Sequence, residues 1–328
     1  MKRAVSVVIA TYNYGRFLAG ALDSALGQTL RDLEIIVVDD GSSDDTAEVV
    51  KPYQCDARVR YERTDHVGQP AAKNIGIRLA RAPVIAFLDA DDVWLPEKLE
   101  KQVSLLNANP RMGVIYSRRY LIDELGRELE YEQPDLPRGR VLEAMFRTNF
   151  VCFSSALVPR YVFEGVGLFD ESLNLAIDYD LWLRAAARYE FDFVDEPLVK
   201  YRTGHANLSQ RTEERLTAVY RIMGRFLESD PGQIHINPRV VRDAQAETCY
   251  HIALARRSRS RLAAIPWYVR CLARSPRYGL AWQGLASLPL PEAARRLARV
   301  ALGRPPDWSV RRPVAATSGK VSSKEWEP

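Results

Sequence analysis

Two acidic stretches are the first places where this chain could do chemistry. Asp89-Ala90-Asp91-Asp92 sets three carboxylates in four residues, directly after an apolar run at 84–88 and just before Trp94 and Pro96. In extended backbone, positions i and i+2 share a face and lie roughly 6.6 Å apart. That spacing suits one carboxylate on a divalent metal and the other on a ligand hydroxyl. Mg²⁺ or Mn²⁺ takes one or two carboxylates and completes its shell with substrate phosphates. The competing use is an acidic loop that caps the helix opening at Pro96. Asp39-Asp40-Gly41-Ser42-Ser43-Asp44 follows a second apolar run at 33–38. Asp40-Gly41 is a turn signal, and Ser43 or Asp44 can cap the next helix. Adjacent Asp39 and Asp40 repel each other, so they need a partner: a ligand donor, a basic group or a metal.

The usual phosphate cradles are missing. No GxGxxG follows the first strand pattern, and GxxxxGK[ST] occurs nowhere. That argues against a dinucleotide site and a P-loop. A diphosphate would then need neutralising by a metal and by Lys73, near the start of a helix. Read alone, Lys73 is equally an ordinary surface lysine.

The positioning elements follow from the pattern. Short β-branched runs at 5–10, 33–38, 59–62 and 84–88 alternate with helical patterns at 16–26, 44–50, 70–80 and 96–107. Such alternation predicts βαβ units and a mostly parallel sheet. The strand runs are almost continuously apolar, as when helices cover both faces. Ligands of open parallel sheets bind beyond the carboxyl ends of the strands. Strands one, two and four end in Ala10-Thr11-Tyr12-Asn13, Asp39-Asp40 and the 89–92 acids, so all three point into one crevice. From 112 to 202 the alternation loosens, with strands expected at 113–120, 151–158 and 191–199 and a helix at 178–189. Helices are then expected at 212–227, 238–257, 261–274 and 292–302.

At 328 residues, 47% of them hydrophobic, the chain is globular rather than disordered. Its charge is uneven. Residues 1–210 hold 25 Lys+Arg against 32 Asp+Glu, and residues 211–328 hold 21 against 10, so −7 is joined to +11. That split favours two parts over one uniform domain. Cys55, Cys152, Cys249 and Cys271 form no CxxC pair, which argues for reduced thiols over a zinc knuckle or disulfide framework. No apolar run approaches the ~18 residues of a transmembrane helix. The apolar start at 4–10 is short for a signal peptide and lacks a cleavage site. The expected location is the cytoplasm.

Taken in order, these residues resemble inverting family 2 glycosyltransferases of the GT-A fold. The resemblance runs through Ser6-Val7-Val8-Ile9-Ala10-Thr11-Tyr12-Asn13, Val37-Val38-Asp39-Asp40-Gly41-Ser42-Ser43-Asp44 and Ala72-Lys73-Asn74-Ile75-Gly76. It continues with Phe87-Leu88-Asp89-Ala90-Asp91-Asp92, then Asp178-Tyr179-Asp180-Leu181-Trp182-Leu183-Arg184, and closes with Tyr201-Arg202 and His205. It covers about residues 4–209. Each motif alone is weak, and the ordered set is specific. The fold it implies is α/β, a mostly parallel sheet flanked by helices, with an α-helical C-terminal extension. The expected division is a catalytic domain at 1–209, made of a donor half 1–108 and an acceptor half 109–209. A helical Arg-rich region at 210–310 and a disordered tail at 311–328 follow.

The resemblance also implies roles. Ala10, Thr11, Tyr12 and Asn13 would surround the nucleotide base, with Tyr12 stacked on it and Asp40 accepting a hydrogen bond from it. Lys73 would face the diphosphate, and Asp89 the ribose or sugar. Asp91 and His205 would bind the Mn²⁺ or Mg²⁺ that bridges the diphosphate of a nucleoside-diphosphate sugar. Asp178 would be the base that deprotonates a hydroxyl of a glycan or lipid-linked acceptor. Two departures stand out: Ile177 where the family often has Glu, and Lys73 where it has Arg. Asp180 rivals Asp178, but an Asp180–Arg184 pair four residues apart on a helix is its plainer use. Trp182 fits either an acceptor pocket or the core.

Rival functions are a sugar nucleotidyltransferase, a glycosidase with paired carboxylates, and a non-catalytic nucleotide-sugar-binding module. The basic C-terminal region has three readings: a bundle docked on the catalytic domain, a surface resting on the inner face of the cell membrane, or nucleic-acid binding. No recognised nucleic-acid module supports the last, so no nucleic-acid partner is expected.

Overall fold

The computed structural model describes residues 4–204, 211–229 and 235–288. The chain begins β1 (Val5–Thr11), α1 (Gly15–Leu26), β2 (Leu33–Asp39), α2 (Thr46–Val50), β3 (Val59–Arg63), α3 (Gln69–Leu79), β4 (Val84–Phe87). It continues β5 (Val93–Trp94), α4 (Lys98–Ala108), β6 (Met112–Ile122), β7 (Glu128–Leu129), α5 (Leu142–Arg147), β8 (Leu157–Pro159), α6 (Arg160–Val166), α7 (Ile177–Arg188) and β9 (Glu190–Arg202). Among the described residues, four helices follow: α8 (Thr212–Ser229), α9 (Pro238–Arg257), α10 (Arg261–Arg274) and α11 (Gly279–Ala286).

Among the described residues, the strands form one sheet in the order β3-β2-β1-β4-β8-β6-β9-β5, with β7 on β6. β1 to β4 run parallel, as the alternation predicts. β8 runs antiparallel to β4, and β6 runs parallel to β9. Successive side chains of a strand point to opposite faces, and both faces are apolar here. Val8, Ile36, Val38 and Phe87 enter one core, and Val7, Ile9, Ile35, Val37 and Ala86 the other. Helix α3 lies so close to β1 that a Cβ on Gly76 would stand 2.3 Å from Val8 Cγ1. Lys73, one turn earlier, is thereby held over the sheet.

The expected strand at 151–158 is corrected. Phe153–Ser155 is a 3₁₀ turn, and only Leu157–Pro159 pairs in the sheet. The reason is polar. Ser155 donates its hydroxyl to Cys152 O, and Ser154 turns its hydroxyl to the acidic loop, so neither stays in a ladder. β5 is too short to show a pattern. Its pairing with β9, Val93 opposite Lys200, nonetheless brings the 89–92 loop against Arg202.

Helices α8 and α9 pack on the helical layer of the sheet. Ile222, Met223, Phe226 and Ala244 share a core with Phe146 and Trp182. Helices α9 to α11 close a separate core around Cys249, Trp267, Tyr268 and Cys271. All four cysteines are free. Among the described residues, no helix is long and apolar enough to cross a membrane. The helix expected at 292–302 and the tail from 311 lie outside the described residues.

Candidate functional site

The two adjacent acids at the end of β2 find their partners within the protein. Asp39 accepts from Ser42 N at 2.8 Å and from Tyr61 Oη at 2.6 Å. Asp40 Oδ1 accepts from Thr64 Oγ1 at 2.9 Å and Val67 N at 2.6 Å. Its Oδ2 accepts from Gly68 N at 2.9 Å, with His66 Nδ1 at 3.2 Å. A carboxylate offers about four lone-pair directions, and three of Asp40's are taken by the 64–68 loop, while His66 Nδ1 lies 3.1 Å from the Asp40 carbonyl oxygen. The carboxylate expected to accept from a base is buried, with most of its lone-pair directions engaged by this loop.

The loop after β1 is tied to the same region. Asn13 takes a left-handed φ of 57° and accepts from Ser43 N at 2.8 Å, while its own amide donates to Ser42 Oγ at 2.9 Å. Thr11 stands beside Asp39 in the β1–β2 register, and its buried hydroxyl has no hydrogen-bond partner. Tyr12 is 43% exposed. One face of its ring stacks on His66, centroids 4.1 Å apart. His66 has a left-handed φ of 56°, held there by the loop that Asp40 organises. Nothing in its sequence surroundings marked His66.

The three acids after β4 separate into different environments. Asp89 Oδ1 meets Lys73 Nζ at 2.7 Å, and that ammonium also lies 3.7 Å from the centre of the Phe153 ring. Lys73 is 3% exposed, so it is a buried cation and not a surface lysine. Asp92 is buried. It accepts from Ser154 Oγ and, at 2.9 Å, from Arg202 N. Burial, then the nearby Asp91 and Asp89 charges, hold its pKa well above the ordinary aspartate value. Asp91 lies between them, half-buried, its carbonyl accepting from Arg202 Nε at 2.8 Å. Ser154 also accepts from Asp89 N at 3.0 Å, so one hydroxyl fixes both ends of the acidic loop. The Tyr14 hydroxyl faces this loop: burial, then Asp91 and Asp89, push its pKa up to about 12.

Asp178 sits in the first turn of α7, after Ala176 in a left-handed φ of 56°. Its Oδ2 accepts from Asn149 Nδ2 at 2.7 Å. Burial raises its pKa; bonds from Asn149 and the Tyr179 amide oppose that, while Asp89 adds to it and Lys73 subtracts. Asp178 is therefore in the electrostatic field of the Lys73–Asp89 pair. Its rival has a plain structural use. Asp180 accepts from Arg184 Nε at 3.0 Å and Nη2 at 2.8 Å, with Arg225 at 3.6 Å. Trp182 is fully buried in the core.

Among the described residues, no three His, Cys, Asp or Glu side chains form a metal cluster. Asp91 with Asp89 nearby still fits a divalent ion whose shell is completed by substrate phosphates, because such ions need only one or two protein carboxylates. His205 lies outside the described residues.

The comparisons with known proteins agree with this architecture. The family described as "Glycosyl transferase family 2" matches residues 6–167. An uncharacterized glycosyltransferase of Methanocaldococcus jannaschii is 33% identical over 229 residues, 67% of this chain and 79% of that protein. Among solved structures, S. aureus TarS 1–349 in complex with UDP-GlcNAc has a TM-score of 0.62 at 17% identity, covering 90% of this chain and 84% of that one. The mannosyltransferase PcManGT from Pyrobaculum calidifontis, in complex with GDP-Man and Mn²⁺, has a TM-score of 0.59 at 17% identity, covering 92% and 81%. At these identities the structural likeness is one of fold, the GT-A arrangement. The chain belongs to glycosyltransferase family 2.

Proposed function

We propose that the chain moves a sugar from a nucleoside-diphosphate sugar to a hydroxyl of a glycan or lipid-linked acceptor, with inversion. The observation that carries this is Asp178: half-buried, raised in pKa, oriented by Asn149, and within the electrostatic field of the Lys73–Asp89 pair. The acceptor hydroxyl would lose its proton to Asp178 as its oxygen attacks the anomeric carbon. The bond from that carbon to the diphosphate oxygen breaks on the opposite face, and the nucleoside diphosphate leaves. A catalytic unit of residues 1–209, divided near 108, with a helical region at 210–310, fits this reading.

The donor would lie along the strand ends. Tyr12 offers an exposed ring to the base, beside the backbone of Ala10 and Asn13, and Thr11 brings an unpartnered hydroxyl close by. Asp40 would act on the base through the loop it holds. Asp89, pinned by Lys73, would accept from a ribose or sugar hydroxyl. Asp91, with His205, would hold Mn²⁺ or Mg²⁺. When bound, that ion supplies charge neutralisation for the departing diphosphate.

Asn149 would act by positioning Asp178. Its bond favours the charged form, so Asn149→Ala is expected to shift the acid limb of the kcat–pH profile upward. The plateau kcat should fall by less than about ten-fold, since the base itself remains. An unshifted limb would show that Asn149 has no hold on the base.

A thermal-shift screen of UDP, GDP and dTDP, with and without Mn²⁺, tests the donor class. Ligand at a hundred-fold excess over Kd stabilises by about 2.7 kcal/mol, or about 4 °C in Tm. One base should shift the protein in a metal-dependent way, and Asp91→Ala should lose the metal-dependent part. No shift with any nucleoside diphosphate would overturn the reading.

A further inference from the structure

Helix α10 is apolar on two sides. Ala264, Trp267, Tyr268, Cys271 and Leu272 are buried in the C-terminal core. On the other side Leu262, Pro266, Val269 and Ala273 are all exposed, Leu262 by 66% and Val269 by 53%. At 3.6 residues per turn these four positions fall within about 60° of arc, a stripe roughly 16 Å long. A helix on a globular surface normally turns a polar face outward.

Arginine borders the stripe. By the same helical count Arg261 and Arg270 lie on opposite sides of it. From Thr248 to Pro291 the sequence holds seven Arg and no Asp or Glu. Arg256 pairs with Glu213 at 2.9 Å, and Arg259 reaches the same carboxylate at 3.6 Å. Arg274 is engaged by Gln245 and the Tyr220 ring. Arg257, Arg261, Arg270 and Arg277 have no carboxylate partner among the described residues.

We propose that this face of α10 docks on an anionic lipid leaflet. The apolar stripe enters the headgroup boundary, and the flanking guanidinium groups pair with lipid phosphates. Charge argues against the other occupants. A second copy would oppose arginine with arginine. The 40 residues after Leu288 hold eight Lys+Arg and four Asp+Glu, so they too are basic. A polyanion without an apolar interior would leave Leu262 and Val269 in water. The acidic residues 1–210 would be repelled from the same leaflet, which orients the protein with its Arg-rich end down.

The proposal does not depend on the transferase reading, and flotation with vesicles reads it without turnover. The full chain should float with phosphatidylcholine vesicles containing roughly a third phosphatidylglycerol, and not with phosphatidylcholine alone. Binding should weaken as salt rises from ~0.05 to ~0.5 M. Leu262→Ser with Val269→Ser should cut binding about ten-fold. Arg261→Glu with Arg270→Glu should cut it more than ten-fold. Leu262, Val269 and Arg261 are exposed, so their substitution should leave Tm at the parent's. Arg270 also lies 4.8 Å over the Trp267 ring, so circular dichroism of the Arg261→Glu/Arg270→Glu protein checks that the fold is kept. No flotation with anionic vesicles overturns the proposal. Undiminished binding by the Leu262→Ser/Val269→Ser protein does so too, because charge alone would then be responsible. So does a solution dimer that the same pair dissolves, since the occupant would then be a second copy.

Discussion

Replacing Asp178 by Asn is expected to lower kcat by about 10²–10⁴-fold while leaving donor affinity within about two-fold. The change is close to a single-property deletion. Asn has nearly the same shape, and its side-chain oxygen can still accept from Asn149 Nδ2. What disappears is the capacity to take a proton. The fold should tolerate this. Burial raises the Asp178 pKa, so folding disfavours its charged form relative to the unfolded chain. A group raised in this way contributes stability below its unfolded pKa and loses it as pH rises through the folded value. At neutral pH the parent has lost that contribution, and the Asn variant carries no charge there to desolvate. Its denaturation midpoint should therefore equal or exceed the parent's. The parent offers its own check. Its kcat should fall as pH drops through the Asp178 pKa, with a limb above the ordinary aspartate value of ~3.9. Normal turnover by the Asn variant would remove Asp178 from the chemistry.

Much of the fold was legible because its strands are buried on both faces. Val5–Thr11 and Leu33–Asp39 show almost no exposed position, so their runs of β-branched residues needed no alternation to be recognised. Where each strand stops was legible too, because polar residues begin at the crevice. What each acid does there was not. Asp89, Asp91 and Asp92 look alike in sequence, yet one is paired to a buried ammonium, one is half-buried and one is sealed under Ser154 and the Arg202 amide. Only long-range packing assigns them. Ser154, Asn149 and His66 escaped for the same reason. Each lies outside the α-helices and strands, 65, 29 and 26 positions from its partner. Ser154 misled outright, because an apolar run with two serines reads as strand until the acidic loop claims one of the hydroxyls.

Asp40 separates holding a site from reacting in it. Asp40→Ala is expected to destabilise the protein by about 3 kcal/mol and to weaken donor binding more than ten-fold, with kcat at saturating donor largely kept. The side chain is buried and accepts from Thr64, Val67 and Gly68. A hydrogen bond to a charged group contributes about 1.5–3 kcal/mol. The total stays below the sum of three because Val67 is half exposed, so water can reach the amides that are released. The loop then loses the geometry that places His66 on Tyr12, and with it the ring that would meet the base. Asp40→Asn tests the same logic more finely. It keeps the shape but turns an acceptor into an amino group facing N–H donors, so its stability should fall between parent and Ala. Guanidinium denaturation measures the first effect and calorimetric titration of the nucleoside diphosphate the second. The two substitutions should thus fail in opposite ways: Asp178→Asn binds donor and does not turn over, whereas Asp40→Ala turns over what it can still bind. If Asp40→Ala were as stable as the parent and bound donor as well, the loop would not depend on that carboxylate.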